Sequence, residues 1–272
     1  MPTQTILSHF FDYSYMSKLA QKDKFIDLSD YGRPFGKAFA LQLKNTRFTP
    51  IHVTLLFGIS GLLAIGCIIT QNYLAAGFFL ILKSIIDAAD GELARIKNTP
   101  SYSGRYLDSL FDITLNFLFF MTICYVSKTS LWITILGFFG IQLQGTLYNY
   151  YYVILRNKSV GGDTTSKVFE YKSPKALPGE NQKTVDVLFK MYTLFYGTYD
   201  KIIHYLDKDA YKVKTFPNWF MTSLSVFGLG FQLLIIAIML PLQLIEYIVP
   251  FFIAFTIAIF VFIGIRKQCI KA

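Results

Sequence analysis

Five acidic side chains lie within 26 residues of an otherwise apolar stretch: Asp87, Asp90, Glu92, Asp108 and Asp112. At about 100° per residue on a helix, Asp87 and Asp90 share one stripe, while Glu92 points away. Asp108 and Asp112 stack four residues apart on a second helix. Facing carboxylates repel one another unless some are protonated or cations bind between them, and oxygen-only ligands suit Mg²⁺ or Mn²⁺. The spacing therefore predicts a divalent-metal site.

Small residues accompany these carboxylates. Gly91 and Ala94 fall on the stripe of Asp87, and Gly104 lies one turn before Asp108. Because they lack bulk, a flat or charged ligand group can approach the helix backbone closely. A transporter or proton-relay protein also places carboxylates in membrane spans, and this is the alternative function, although it does not explain the glycines.

The elements that carry these residues are predicted to be membrane helices. Hydrophobic residues make up 53% of the 272-residue chain and charged residues 16%. Apolar segments of bilayer-spanning length recur along the chain. We place them at 51–69, 73–96, 104–126, 131–155, 219–240 and 244–265. The sequence thus predicts an all-α polytopic membrane protein with six transmembrane helices, the second of which is apolar only as far as Ile86.

The basic residues set the predicted orientation. Of the 26 Lys and Arg residues, 24 precede the first span, follow the last, or lie in the connections at 97–103 and 156–216 and their flanks. Positive residues concentrate on the cytoplasmic side, so both termini are expected there. The net charge of +9 is explained by this distribution, and no nucleic-acid partner is expected. No cleavable signal peptide is expected, because no short apolar region with a cleavage site follows Lys18.

Two segments outside the spans have helical patterns. Residues 30–43 alternate aromatic and aliphatic side chains with basic ones and suit an interfacial amphipathic helix, the other reading being a juxtamembrane linker. A second helix is predicted from Asn181 onward, either on the membrane surface, which we favour, or docked on a partner.

We treat residues 1–272 as one domain: a cytoplasmic and interfacial segment (1–48), spans one to four (51–155), a cytoplasmic loop (156–216) and spans five and six (219–265).

The acidic and small residues follow one pattern: D-x2-D-G-x2-A-R, eight residues, then G-x3-D-x3-D, running from Asp87 to Asp112. This closely resembles the signature of the CDP-alcohol phosphotransferases (CDP-alcohol phosphatidyltransferases), with every fixed position matched. Thr49-Pro50 also looks like the family's Thr-Pro-Asn entry to the first span, but Ile51 stands in place of the asparagine. This difference weakens the case for nucleotide binding by residues 49–51.

The resemblance implies a homodimer whose subunits each hold two Mg²⁺ or Mn²⁺ ions near the cytoplasmic leaflet. By family analogy Asp87, Asp90 and Asp108 would ligate metal, and Asp112 would complete the second site and act as the general base. The nucleotide would be bordered by residues of the same motif, namely Asp87, Gly91, Ala94, Arg95, Gly104 and Asp108. The implied reaction transfers a substituted phosphate, as from CDP-diacylglycerol, to a hydroxyl acceptor and releases CMP.

The acceptor is left open by the sequence. A phosphorylated acceptor such as inositol phosphate or glycerol phosphate needs basic residues, whereas serine does not. The candidates are Lys83, Arg105, Arg156 and Arg266. Lys83 stands one turn before Asp87, so pairing with that carboxylate is its favoured role. A lipid on the acceptor instead of the donor also fits the pattern. Glu92 is predicted to be solvated or ion-paired. Gln142, Gln144 and Asn149 either line the acceptor pocket or hydrogen-bond between helices.

Overall fold

The computed structural model describes residue 19, residues 23–159 and residues 170–270, and the regular elements in these ranges are all helical, as predicted. The α-helices are α1 Arg33–Leu43, α2 Pro50–Ile69, α3 Tyr73–Ile96, α4 Tyr102–Ser127, α5 Leu131–Ser159, α6 Gln182–Leu206, α7 Asn218–Leu224, α8 Leu229–Met239, α9 Ile245–Thr256 and α10 Ala258–Cys269. Parts of the predicted N-terminal segment and of the 156–216 loop lie outside the described ranges.

Several of these helices could cross a membrane. Four are long and apolar enough: Pro50–Ile69, Tyr102–Ser127, Leu131–Lys158 and Ile245–Cys269. The segments Asn218–Phe227 and Leu229–Met239, which meet at a 52° bend, would together form a fifth. Helix α3 is not among them, because Lys83, Asp87 and Asp90 interrupt its apolar sequence. The six-span layout therefore stays a prediction.

Side-chain caps fix where the motif helices begin. Thr49 and His52 form a reciprocal capping box at the start of α2, with Pro50 in the first turn. Asn72 accepts a hydrogen bond from the backbone N–H of Ala75 and caps α3. Ser101 Oγ accepts one from Gly104 N (2.8 Å) and caps α4. Because each cap satisfies backbone donors that have no partner within the helix, it sets the register of the carboxylates that follow.

Helix α1 occupies most of the predicted amphipathic segment and packs on α3. A Cβ at Gly36 would lie 2.8 Å from the backbone oxygen of Ile85 and 3.0 Å from the nitrogen of Ala89, so only glycine allows this approach. On the other face Phe35 and Leu41 are exposed. That face suits the headgroup region of a bilayer, and the placement of α1 on a membrane surface stays a prediction.

The main apolar core joins six helices. Its buried members include one residue from each of α2, α3, α4, α5, α8 and α9: Phe57, Leu80, Phe119, Ile141, Leu233 and Phe252. Helices α3 and α8 approach so closely that a Cβ at Gly77 would lie 2.6 Å from the backbone oxygen of Ala237. The core therefore holds α3 and α4, which carry the motif, on a rigid set of neighbours.

The predicted helix after Asn181 is present as α6, and it docks on its own chain. Four side chains of α6 are buried against α4, α5 or the connections next to α6: Val185, Phe189, Tyr199 and Ile203. The exposed residues Val187, Met191, Leu194 and Phe195 lie on the other side. Docking thus explains the buried apolar face of α6. Contact between the exposed apolar face and the membrane stays a prediction. Because α6 lies within 156–216, that region is not simply a loop.

Candidate functional site

Three of the motif aspartates converge. Asp87, Asp90 and Asp108 each offer a carboxylate oxygen, and these three oxygens all lie within 4.8 Å of one another. The first two lie one turn apart on α3, and Asp108 faces them from the second turn of α4. Three converging carboxylates supply the hard oxygen ligands that Mg²⁺ and Mn²⁺ require.

One oxygen of this trio has no hydrogen-bond partner in the part of the chain that the structure describes. Asp108 Oδ1 is buried and unbonded. An ionised carboxylate oxygen that is buried without a hydrogen-bond donor is costly. A divalent cation would satisfy it and offset the repulsion within the trio. The residues present therefore fit a metal ion.

Asp90 is oriented by a side chain from a third helix. Thr54 Oγ1 on α2 donates a 2.8 Å hydrogen bond to Asp90 Oδ2, and both side chains are buried. The sequence reasoning missed Thr54. Its only sequence signal is its position, one turn after the Thr49-Pro50 entry of α2.

Asp112 is not among the three carboxylates that converge within 4.8 Å, and it is held by Lys83. Lys83 Nζ donates to Asp87 Oδ2 (3.0 Å) and to Asp112 Oδ1, and it sits 4.7 Å from the ring centroid of Phe57. The side chain is 1% exposed. The pairing with Asp87 agrees with the sequence-based expectation. The acceptor-binding role suggested for Lys83 stays a prediction, in competition with these two ion pairs.

A cavity of about 1070 Å³ opens onto the carboxylates. Gly91, Ala94 and Gly104 line it together with the motif aspartates. A Cβ at Gly91 would meet only the guanidinium nitrogens of Arg95, at 3.7 Å, so this surface is flat and unobstructed. A Cβ at Gly104 would lie 3.2 Å from Ser101 Oγ, so this glycine also makes room for the cap of α4.

Glu92 is neither solvated nor directed to the carboxylate trio. It is 2% exposed, and its Oε1 accepts a 2.7 Å hydrogen bond from Arg95 Nη2. Arg33 Nη1 on α1 lies 3.5 Å from the same oxygen. The ion-paired alternative of the sequence prediction is therefore correct. The pairing also positions Arg95, which lines the cavity.

Two glutamates from the second half of the chain bind the first turn of α4. Glu170 accepts two hydrogen bonds from Arg105, at 2.9 and 2.6 Å. Glu180 Oε1 accepts from Ser103 N (2.7 Å) and Ser101 Oγ (2.8 Å). We call Glu170 and Glu180 the glutamate clasp. Arg105 lines the cavity but is bound to Glu170, so its suggested acceptor role stays a prediction that would require sharing or exchange of this partner.

The hydrogen bonds to Glu180 change its titration. Burial raises the pKa of the Glu180 carboxyl, but hydrogen bonds from Ser103, Ser101 and Leu177 outweigh that effect. The pKa of Glu180 therefore lies below its usual range, and Glu180 makes these contacts in the ionised form. Protonation of Glu180 would weaken the contact between the start of α6 and the start of α4.

The amides of α5 have different roles. Gln144 Nε2 donates to Phe252 O and Thr256 Oγ1, both at 3.0 Å, and so bridges helices. Gln142 and Asn149 line the cavity. Asn116, one turn beyond Asp112 on α4, also lines it and was not predicted. Continuing the four-residue spacing from Asp108 and Asp112 would have found it.

Comparison with known proteins assigns this arrangement to a family. The sequence model described as CDP-alcohol phosphatidyltransferase matches residues 47–207, which include the whole motif, α2 to α5 and all of α6. No curated protein matches the chain significantly.

Proposed function

Because the chain belongs to the CDP-alcohol phosphatidyltransferase family, we propose that it transfers a phosphatidyl group from CDP-diacylglycerol to a hydroxyl acceptor and releases CMP. One observation carries the proposal. Carboxylate oxygens of Asp87, Asp90 and Asp108 converge within 4.8 Å beside a large cavity, at the positions that the family motif specifies. The product class is therefore a phospholipid.

The metal site is proposed to hold two Mg²⁺ or Mn²⁺ ions. Asp87, Asp90 and Asp108 would supply oxygens to one or both, and Asp112 would complete the second set. The unbonded Oδ1 of Asp108 supports this assignment. Ions held there would supply positive charge that offsets the negative charge developing on the departing phosphate. The role of the carboxylates would be to hold these ions, since carboxylates alone repel an anionic diphosphate.

The nucleotide is proposed to lie along the small residues of the motif. Gly91, Ala94 and Gly104 leave the backbone of α3 and α4 open to a planar or charged group, and they line the cavity next to the aspartates. Arg95, held by Glu92, would pair with a phosphate or the cytosine. Since Glu92 fixes one guanidinium nitrogen, Arg95 is held in place before the donor binds.

Asp112 is proposed to act as the general base. The acceptor hydroxyl oxygen forms a bond to the phosphorus that carries diacylglycerol, and the bond from that phosphorus to the CMP oxygen breaks. The hydroxyl proton passes to the Asp112 carboxylate, and CMP leaves with the bonding electron pair. Lys83 holds Asp112 through Oδ1 and so fixes its position relative to the diphosphate.

The membrane arrangement is also a proposal. Counting α3 and the bent pair of α7 and α8 as spans gives six, with both termini and the motif on the cytoplasmic side. The lipid-linked donor would then enter from the inner leaflet, and a polar acceptor would arrive from the cytoplasm. A homodimer is part of the same proposal.

The direct test is CMP release. Purified protein in detergent or vesicles, given CDP-diacylglycerol and Mg²⁺ or Mn²⁺, should produce CMP when a suitable alcohol is added, and chelation should stop the reaction. The panel of acceptors should contain inositol, inositol phosphate, glycerol phosphate, serine and choline. A protein that releases no CMP with any of them, but moves ions or protons across vesicles, would be the alternative transporter and would refute the proposal.

A further inference from the structure

The cavity continues beyond the catalytic carboxylates along α4. Gly104, Asp108, Asp112 and Asn116 follow one another at four-residue spacing, so they lie on one face of the helix. Asn116 is 6% exposed and lines the same cavity as Asp112. Four residues, about 6 Å along the axis, separate the two backbone positions. An acceptor that reacts at Asp112 could therefore place a neighbouring hydroxyl between Asp112 and Asn116.

Helix α5 brings a second amide to the same depth. Helices α4 and α5 are joined by a short turn around Thr129, and they pack against each other. Asn116 and Gln142 are each thirteen residues from Thr129, so in this antiparallel pair they lie at the same level. Gln142 is 6% exposed and lines the cavity.

The side-chain amide of Gln142 has N–H donors that are available to a ligand. Gln142 Nε2 is buried and makes no hydrogen bond within the described residues. Gln144, two residues later, has its amide nitrogen bound to α9. A buried amide that lacks a partner is costly, and a bound polar molecule would supply one.

Charge is distributed unevenly along the cavity. The basic side chains that line it within the described residues all belong to helix ends or connections on one side of the bundle: Arg47, Arg95, Lys97, Arg105 and Arg156. In the α4–α5 pair, Arg156 is level with residue 102, at the start of α4. Asn116 and Gln142 lie more than three turns further in. The inner end of the cavity thus offers amides, which suit uncharged hydroxyls, and the outer end offers cations.

Resting on the proposed function, we propose that Asn116 and Gln142 form an acceptor subsite that binds a second, uncharged hydroxyl of a polyhydroxylated alcohol. The reacting hydroxyl lies at Asp112, and a further hydroxyl lies on the side of Asn116 and Gln142. Each amide can donate to and accept from a hydroxyl. A site built to bind a hydroxyl discriminates strongly against an analogue that lacks it.

The test compares polyols with their deoxy analogues. Wild-type protein is assayed for CMP release with glycerol phosphate and 3-hydroxypropyl phosphate, and with inositol, inositol phosphate and their deoxy analogues. Asn116→Leu and Gln142→Met, which keep the approximate size of each side chain, are assayed alongside. We expect wild type to favour a polyol at least about tenfold in kcat/KM, and both variants to reduce that preference to less than about threefold. Binding of CDP-diacylglycerol should stay within about threefold in both, which also shows that they fold.

Gln144→Met is the matched control on the same helix. It should lower thermal stability by removing the bonds to α9, and it should keep the wild-type preference for the hydroxyl. CMP release confined to serine or choline, or equal use of polyol and deoxy analogue, would overturn the subsite. So would an unchanged preference in Asn116→Leu and Gln142→Met. An absence of CMP release with every acceptor would instead overturn the proposed function.

Discussion

Thr54 on α2 donates a 2.8 Å hydrogen bond to Asp90 on α3, and this bond joins the first membrane helix to the carboxylate trio. Groups that orient metal ligands are commonly worth 10- to 100-fold in metal affinity. Thr54→Val keeps the shape of the side chain and removes the donor. In Thr54→Val we expect the Mg²⁺ or Mn²⁺ concentration for half-maximal CMP release to rise by about 10- to 100-fold.

Thr70→Val is a suitable control for this change. Thr70 lies at the other end of α2, where its hydroxyl donates to Gly66 O and is exposed. The Mg²⁺ or Mn²⁺ concentration that Thr70→Val requires for half-maximal CMP release should match that of wild type. If the two valine variants behave alike, Thr54 does not orient Asp90 for metal binding.

Asp108 and Asp112 should respond differently to the same substitution. Asp108 belongs to the converging trio, whereas Asp112 is paired with Lys83. Asp108→Asn should abolish CMP release and weaken metal binding. Asp112→Asn should leave donor binding within a few-fold, because the carboxylate trio stays intact, and should lower kcat by at least about 10²-fold through loss of the base. Calorimetric titration with CDP-diacylglycerol separates the two effects. Near-normal turnover in either variant would contradict the assignments.

Lys83 should couple energetically to Asp112. Removing one partner of a buried ion pair costs about 3–5 kcal/mol, because the other charge stays buried without compensation. Lys83→Met is therefore expected to lower the free energy of unfolding strongly when measured with chelator present. Adding Asp112→Asn should recover more than about 1 kcal/mol of the loss, since it removes one of the two uncompensated carboxylates.

The exposed Lys190 on α6 provides the comparison for Lys83. Lys190→Met should change the unfolding free energy by less than about 0.5 kcal/mol. Strict additivity of Lys83→Met and Asp112→Asn would show that the ion pair contributes nothing measurable.

The glutamate clasp gives a pH prediction. The pKa of Glu180 is lower in the folded protein than its ordinary value of 4.5. Its contribution to stability is therefore present above about pH 4.5 and is lost as the pH falls through the lowered pKa. Wild type should lose melting temperature more steeply than Glu180→Gln as the pH drops below 4.5. Glu246→Gln, altered at an exposed residue at the start of α9, should keep the wild-type slope.

The spacing of the motif predicted which carboxylates share a helix face, because helix periodicity is local. It did not predict that Lys83 pairs with Asp112 as well as with Asp87. Asp87 and Asp90 share a face of α3, and Asp108 meets them from α4, as expected. The same spacing, continued once, predicts that Asn116 faces the cavity. Gln142 and Gln144 could not be told apart from sequence, because their roles depend on α9, more than 100 residues away.

Long-range contacts account for the rest of what the sequence did not predict. Glu180 lies 77 residues from Ser103, and no spacing rule links them. The docking of α6 on α4 and α5 likewise depends on tertiary packing, so an amphipathic pattern alone could not distinguish it from membrane binding. The charged residues within α3 keep that helix from qualifying as a span by length and composition.

Gly36 lets α1 contact the backbone of α3, the helix that carries Asp87 and Asp90. No side chain separates α1 from the backbone of α3 at Ile85 and Ala89, the residues that flank Asp87. A movement of α1 by the width of a methyl group would have to be matched by α3, and the distance between Asp87 and Asp108 would change with it. The geometry of the carboxylate trio is therefore not independent of the position of α1.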